Sequence, residues 1–290
     1  MRLPHLLLAL AVCFAWGLNA TAAKIGVTYM PPVFFSALRF VFVFACLFLW
    51  LRPTPGKYGA LIPAVFFMGA LHFGLIFTGA RLSDASTISI VNQLYVPISV
   101  LLAIVWLGER VHWRRWLGIA IAFGVVVVFS SDASVAAQPF GVFIMVLDAI
   151  AMGIGTVLLR RIQGVPVFVM QAWMAAIGAP ALLLASFVLE SGQVQSALAA
   201  PWQAWAALAY SVLISSLIGH TGYYILLQNY DVSLVGSVLL LGPAIGVLGG
   251  VLILGEPFTP LIVVGSLMTL AGVGIVLMRT RRVFEPAGGV

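Results

Sequence analysis

Two ionisable side chains lie in the middle of long apolar stretches of the sequence, where protein or lipid would surround them. They are Arg39, the one basic residue well inside such a stretch, and Asp148, the one acidic residue in that position. A guanidinium can donate two parallel hydrogen bonds to a carboxylate, and an aspartate can accept hydrogen bonds from an ammonium group. This chemistry suits a zwitterion, with one residue for each charge. Two alternatives are a structural ion pair between Arg39 and Asp148 and a proton carried by Asp148.

Uncharged polar and aromatic residues accompany these two charges at a similar depth. A helix rises about 1.5 Å per residue, so this layer lies roughly 10–15 Å from one end of the apolar stretches. We expect residues from several helices to face one another across a common site in this layer. Its members are Trp16, Arg39, His72, Asn92, Gln93 and Asp148, with Asn19 slightly nearer that end.

The densest group of uncharged polar residues in any apolar stretch is formed by Asn92, Gln93 and Tyr95, and Pro97 follows it. Proline removes a backbone hydrogen bond from a helix. Irregular backbone at membrane depth is tolerated where it lines a cavity. The cluster therefore either faces a ligand or forms hydrogen bonds between helices.

The two buried histidines have similar positions in the two halves of the chain. His220 is a near counterpart of His72, one position out of register. Each is either a neutral side chain that bonds to a neighbouring helix or part of a proton relay. The rings of Trp16, Tyr95, Trp173 and Tyr223 also offer surfaces that can stack on a cation.

Membrane-spanning helices must position these residues. The chain has 290 residues, of which 63% are hydrophobic and 8% charged, a composition typical of an integral membrane protein. A span needs about 20 apolar residues, and runs of this length are too long for the alternating strands of an outer-membrane barrel. The sequence therefore predicts an all-α integral membrane fold with ten transmembrane helices. The predicted spans are 3–23, 32–51, 59–80, 85–107, 112–130, 138–159, 167–189, 201–227, 231–254 and 259–278.

The basic residues segregate between the two sides that ten spans define. Because Lys and Arg concentrate in cytoplasmic loops, the side that carries most of them is expected to be cytoplasmic. Only Lys24 and Arg81 fall on the other side. The sequence therefore predicts that both termini lie in the cytoplasm. The basic residues on the predicted cytoplasmic side are Arg2, Arg52, Lys57, Arg110, Arg114, Arg115, Arg160, Arg161, Arg279, Arg281 and Arg282.

The chain also contains an internal repeat, because residues 82–110 resemble residues 229–257. The sequence is therefore predicted to form two similar five-helix units, 1–134 and 135–290, that together make one domain. An odd number of helices inverts the second unit in the membrane relative to the first. The pairs that match at an offset of 147 residues are Asp84 and Asp231, Ser86 and Ser233, Gly108 and Gly255, and Glu109 and Glu256.

The first predicted span contains Ala20-Thr21-Ala22, a small-x-small pattern like that of signal-peptide cleavage sites. In the same span, Gly17 matches Gly153 of the sixth span, which lies mid-chain and cannot be a signal peptide. We therefore expect the first span to be kept as part of the fold.

Short motifs add a family resemblance to this picture. They are WGLN at 16–19, MPP at 30–32, LRF at 38–40 and GERVH at 108–112. In this order and spacing they resemble the EamA-type branch of the drug/metabolite transporter superfamily, and within it bacterial exporters of cysteine and O-acetylserine. The resemblance implies a secondary carrier of the bacterial inner membrane that exports amino acids or related metabolites by alternating access. The alternative is export of lipophilic cations or other drugs, with Asp148 binding the cation.

Other functional classes lack the residues that they need. The four histidines are scattered and both cysteines lie in apolar runs, so we expect no enzyme active site, metal site or cofactor. The basic residues separate apolar runs instead of forming a nucleic-acid-binding patch, and no nucleotide-binding loop of the G-x-x-x-x-G-K-[ST] type occurs. The expected partners are a small-molecule substrate, the lipid bilayer and a proton as candidate coupling ion, and one chain is sufficient for a pathway.

These arguments give two sets of candidate site residues. Those expected to bind substrate are Trp16, Asn19, Arg39, His72, Asn92, Gln93, Tyr95, Asp148 and Tyr223. The candidates for proton coupling are Asp148, His72 and His220.

Overall fold

The chain is described by a computed structural model, which covers residues 1–108, 112–130, 138–159, 162, 164–230, 235 and 238–277. Within these residues the regular structure is entirely helical. The repeat residues Glu109 and Asp231 and the basic residues Arg110, Arg160 and Arg161 lie outside the described part of the chain, as do residues 278–290.

The long helices follow the predicted apolar runs closely, and they are numbered α1 to α10 in chain order. They are α1 Leu3–Tyr29, α2 Pro32–Leu47, α3 Tyr58–Leu82, α4 from Ala85–Val91 through Tyr95–Leu107, α5 Trp113–Ser130, α6 Pro139–Leu159, α7 Val167–Leu189, α8 from Trp202–Ala209 through His220–Asn229, α9 Leu241–Leu254 and α10 Pro260–Leu277.

Eight of these ten helices in the described part of the chain are long and apolar enough to cross a membrane. The other two are α5, Trp113–Ser130, and α9, which is shorter at 14 residues. The protein is therefore a multi-pass membrane protein. Proline begins α2, α6 and α10, at a position where its missing N–H costs no helical hydrogen bond. A short helix that the sequence did not predict, Gln193–Ala199, connects α7 to α8.

Two pairs of repeat-related residues make equivalent contacts between helices. Gly17 of α1 packs on Ile245 of α9, where an added Cβ would lie 2.8 Å from the Ile245 Cβ. Gly153 of α6 packs on Ile98 of α4 in the same way, with 2.8 Å to the Ile98 Cγ2. Since Ile98 and Ile245 are also 147 residues apart, each glycine allows the first helix of one half to approach the fourth helix of the other.

Helices α3 and α8 are each interrupted by a π-helical segment. Phe66–Leu71 forms the segment in α3 and Tyr210–Gly219 the one in α8. A histidine follows each segment directly, His72 in α3 and His220 in α8. A π turn widens the helix and redirects backbone carbonyls, and such turns are frequent at functional sites.

At the end of the bundle where α1 stops and α2 begins, two carboxylates from the second half cap helices of the first half. Glu190 accepts hydrogen bonds from the backbone N–H groups of Val33 and Phe34, at 2.8 and 2.9 Å. Glu256 accepts from the N–H groups of Ala85 and Ser86, at 2.6 and 2.9 Å. Acidic groups are stabilising at helix N-termini, which carry free N–H groups and partial positive charge.

Two basic residues complete this end of the bundle. The Lys24 Nζ donates to the Ser83 carbonyl at 2.6 Å, and the Arg81 Nη1 donates to the Val27 carbonyl at 2.6 Å. Helix α1 continues past the predicted boundary at residue 23 and ends at Tyr29. Lys24 therefore lies within the helix, where its side chain bonds to the Ser83 carbonyl.

Candidate functional site

A cavity of about 220 Å³ lies between helices of both halves of the chain. It opens beside the breaks in α3, α4 and α8, where π and 3₁₀ turns replace regular α-helix. Eight of the candidate residues line it; six of these belong to the layer that the sequence placed at a common depth, whereas Tyr95 and His220 were not assigned to that layer. The eight residues are Trp16, Asn19, Arg39, His72, Asn92, Gln93, Tyr95 and His220.

Arg39 is the positive charge of this cavity wall, and its side chain is 2% exposed. Its Nε and Nη2 both donate to the Ser216 hydroxyl, at 3.1 and 2.9 Å. Its guanidinium lies over the Phe73 ring, 4.1 Å from the centroid, as a cation–π contact requires. The Nη1 has no hydrogen-bond partner among the described residues. One strong donor of this guanidinium is therefore unpaired, in a residue that lines the cavity.

Asn92 supplies an unused acceptor in the same wall. It begins a 3₁₀ turn, Asn92–Leu94, that separates the two α-helical parts of α4. Pro97 has no N–H for the carbonyl of Gln93, which explains why regular helix is interrupted here. The Asn92 Oδ1 is buried and finds no partner in the described part of the chain. A buried polar atom of this kind normally has a partner, so a ligand or water is expected there.

Asp148 is fully buried in α6 and contacts His72 of α3. The Asp148 Oδ1 lies 2.6 Å from the His72 Nδ1, and the Asp148 Oδ2 has no partner among the described residues. The ion pair between Arg39 and Asp148 that the sequence left open is not formed within this part of the chain. Asp148 is not one of the residues that line the cavity, whereas His72, which it contacts, is one of them.

A group of aromatic rings lies beside α8. The Trp16 ring centroid is 5.3 Å from that of His220 and 5.2 Å from that of Tyr223. The Trp16 Nε1 donates to the Ser215 carbonyl at 3.1 Å, a group in the π segment. Tyr223 does not line the cavity, and its ring packs against the ring of Trp16.

The rest of the wall is mixed in character. The Ser211 hydroxyl donates to the Asn19 Oδ1 at 3.0 Å, which fixes that amide. Three methionines, Met68, Met152 and Met174, contribute flexible apolar surface. Such side chains adapt their shape to different apolar groups.

The sequence did not predict Phe73 and Ser216 as site residues, although both contact the Arg39 guanidinium. The adjacent serines Ser215 and Ser216, in an apolar run just before His220, were the available signal. In the described part of the chain no three His, Cys, Asp or Glu side chains are grouped as metal ligands require.

Comparison with known proteins gives one family. The sequence model of the EamA-like transporter family matches residues 3–131 and again residues 139–278. A crystal structure that is 18% identical to this chain superposes with a TM-score of 0.62, and the match covers 95% of this chain and 96% of that one. This similarity shows a shared fold.

Curated relatives are similar along almost their whole length. A protein named "Probable amino-acid metabolite efflux pump" from Escherichia coli is 27% identical over 92% of this chain and 93% of its own. Its namesake from Salmonella typhimurium is 28% identical over 97% of this chain and 98% of its own. An uncharacterised transporter from Archaeoglobus fulgidus is 27% identical over 94% of this chain and 98% of its own. The family and these names indicate a membrane transporter.

Proposed function

Since this chain belongs to the EamA-like transporter family, we propose that it is a secondary active transporter that exports amino acids or their derivatives by alternating access. The names of the Escherichia coli and Salmonella typhimurium relatives support export of amino-acid metabolites. The chemistry of the cavity supports the same class of substrate independently.

The observation that carries this proposal is the pair of unused polar atoms in the cavity wall. The Arg39 Nη1 is a charged donor and the Asn92 Oδ1 is a neutral acceptor, and neither has a partner among the described residues. A carboxylate satisfies the first and an ammonium group satisfies the second. An amino acid carries both groups on one carbon, and it therefore offers a partner of the right chemistry to each of these two residues.

The apolar part of the wall favours substrates with apolar side chains. Met68, Met152, Met174 and Ile76 line the cavity together with Phe77. Burial of apolar surface contributes about 25 cal/mol per Å², which an aliphatic or thioether side chain can gain here.

The lipophilic-cation alternative finds less support in this wall. A cationic drug needs a carboxylate or an aromatic face free of competing positive charge. Among the described lining residues no carboxylate occurs, and Arg39 supplies a positive charge. Asp148, which the sequence had proposed for the cation, is held by His72.

We also propose that the chain forms ten spans, as two inverted five-helix units at 1–134 and 135–290. The equivalent packing of Gly17 on Ile245 and of Gly153 on Ile98 supports this symmetry. The π segments before His72 and His220 support it further. Both termini are placed in the cytoplasm of a bacterium, because most basic residues then lie on the cytoplasmic side of the membrane. The cavity lies within one chain, so transport does not require an oligomer.

Substrate-dependent counterflow in proteoliposomes tests the substrate class. Labelled L-methionine should enter vesicles that are preloaded with L-methionine, L-leucine, L-cysteine or O-acetyl-L-serine, and tetraphenylphosphonium should not replace these amino acids. Arg39→Gln should reduce amino-acid counterflow about 100-fold, because a charged hydrogen bond contributes about 1.5–3 kcal/mol. The control is Arg52→Ala, which removes an arginine side chain that does not line the cavity and should leave the rate unchanged.

Two results would contradict the proposal. One is exchange of tetraphenylphosphonium without exchange of any amino acid in the panel. The other is near-normal amino-acid counterflow by Arg39→Gln in a protein that inserts and purifies like the parent.

A further inference from the structure

The contact between His72 and Asp148 is the one buried pair of ionisable side chains that the described residues form. It joins α3 to α6 beside the cavity, and the substrate-binding proposal makes no use of Asp148. We propose that this pair is a proton-binding site that opens to the cavity through His72 and couples transport to protons. This inference rests on the proposed transport function and adds a coupling ion to it.

The geometry gives the proton a defined route. The His72 Nδ1 is engaged by Asp148, and His72 lines the cavity, so Nε2 is the ring nitrogen that remains for cavity water. A proton added at Nε2 allows the Nδ1 proton to move onto the Asp148 Oδ1. The pair then gains one proton and changes from negatively charged to neutral. Release reverses both transfers, and no other reactant is needed.

The second oxygen of Asp148 supports this role independently. The Oδ2 is buried and has no hydrogen-bond partner among the described residues. A permanently ionised carboxylate in such a place loses a large solvation energy without compensation. A group that is neutral in one stage of a cycle and ionised in another explains why only one oxygen is satisfied.

The other ionisable groups around the cavity are well placed to interact with the pair. From α2, the Arg39 guanidinium lies 4.1 Å from the Phe73 centroid, and the His72 ring lies 4.5 Å from the same centroid. From α4 and α8, Tyr95 and His220 line the same cavity. A substrate carboxylate at Arg39 is therefore near enough to be influenced by the charge of the pair.

His220 is the competing candidate, but its hydrogen bonds give it no partner that can take a proton. Its Nδ1 contacts the carbonyls of Ser215 and Ser216, at 3.2 and 3.0 Å. A carbonyl only accepts hydrogen bonds, so this nitrogen must carry its proton permanently. Unlike Asp148, a carbonyl cannot take that proton when the ring gains another.

The test is an infrared titration of the full chain in lipid nanodiscs, with the proton as the only ligand. The carbonyl band of a protonated carboxyl group should appear in the wild-type protein as the pH of the sample is lowered. The band should be absent from Asp148→Asn, shifted in His72→Gln and retained in His220→Gln. A wild-type protein with no such band, or Asp148→Asn protein that keeps it, would overturn the inference.

A transport measurement then tests the coupling. A pH gradient across proteoliposomes should change the steady-state level of L-methionine in wild-type vesicles that carry out methionine counterflow. Active counterflow with no response to a gradient of either polarity would refute coupling. Failure of every amino acid to exchange would count against the proposed substrate class alone, because the infrared titration needs no amino acid.

Discussion

The junctions at His72 and His220 have the same local design and different chemistry. In each, a π-helical segment ends directly before a histidine that lines the cavity. His72 meets the carboxylate of Asp148, whereas His220 meets two backbone carbonyls of its own helix. One ring can therefore exchange a proton with its partner, and the other can only donate.

This difference shows that two similar junctions in one chain can hold different groups. The π turn in α8 turns backbone oxygens toward neighbouring groups, and the Ser215 carbonyl accepts from both Trp16 and His220. The turn in α3 instead places His72 against another helix. The α8 junction thereby organises the binding wall, while the α3 junction holds the ionisable pair.

The largest expected effect comes from removing only one member of the His72–Asp148 pair. His72→Leu leaves a buried carboxylate without its partner, which should cost about 3–5 kcal/mol of stability. The double variant His72→Leu/Asp148→Leu should recover most of this loss, since apolar residues can replace a buried pair. Unfolding in detergent measures the effect. Equal stability of the single and double variants would show that the two residues are not coupled.

A carboxylate placed in the α8 junction should pair with Arg39 and strongly reduce transport. Ser216→Asp sets an acidic group where the Arg39 Nε and Nη2 now find a hydroxyl. The new ion pair competes with the substrate carboxylate, so counterflow should fall about 100-fold. Ser216→Ala, which removes the hydroxyl without adding charge, is the matched control and should lose far less. Similar losses in both variants would disprove competition for Arg39.

A smaller change in the same junction should displace Trp16. The residue before His220 is Gly219, and a Cβ there would lie 2.6 Å from the Trp16 Nε1. Gly219→Ala should therefore move the indole and reduce counterflow roughly 10- to 100-fold. Gly59→Ala, at a site where a Cβ meets no atom within 4 Å, is the control. Unchanged counterflow in Gly219→Ala would show that the position of Trp16 does not matter.

The smallest effect is expected from His220→Gln. A glutamine amide can still donate to the Ser215 or Ser216 carbonyl, so the loss of a neutral hydrogen bond should lower counterflow by no more than about threefold. The response to a pH gradient should persist. If His220→Gln eliminated that response while its counterflow continued, proton coupling would have to be reassigned from α3 to α8.

The sequence predicted the helices well because apolar length is a strong signal in a membrane protein. It did not predict the π segments at Phe66–Leu71 and Tyr210–Gly219, since both lie in apolar runs whose composition does not distinguish a π turn from an α turn. The helix Gln193–Ala199 was missed because it is too short to span a membrane.

The sequence predicted how deep the site residues lie along their helices, but it did not predict which side chains contact one another. Counting residues along each helix placed Arg39, His72 and Asn92 in one layer, and all three line the cavity. Which side chains meet depends on the rotation of each helix. Helices that are apolar on every side give little indication of the inward face, so the bond between Asp148 and His72 could not be predicted.

The caps formed by Glu190 and Glu256 link the two halves of the chain at one end of the bundle. Both acids come from the C-terminal half, and the four amide groups that they bind belong to the N-terminal half. A separation of the halves at this end strips all four amides of their acceptors at once. Each charged hydrogen bond is worth about 1.5–3 kcal/mol, so a separation at this end would require water to replace both carboxylates at the helix N-termini.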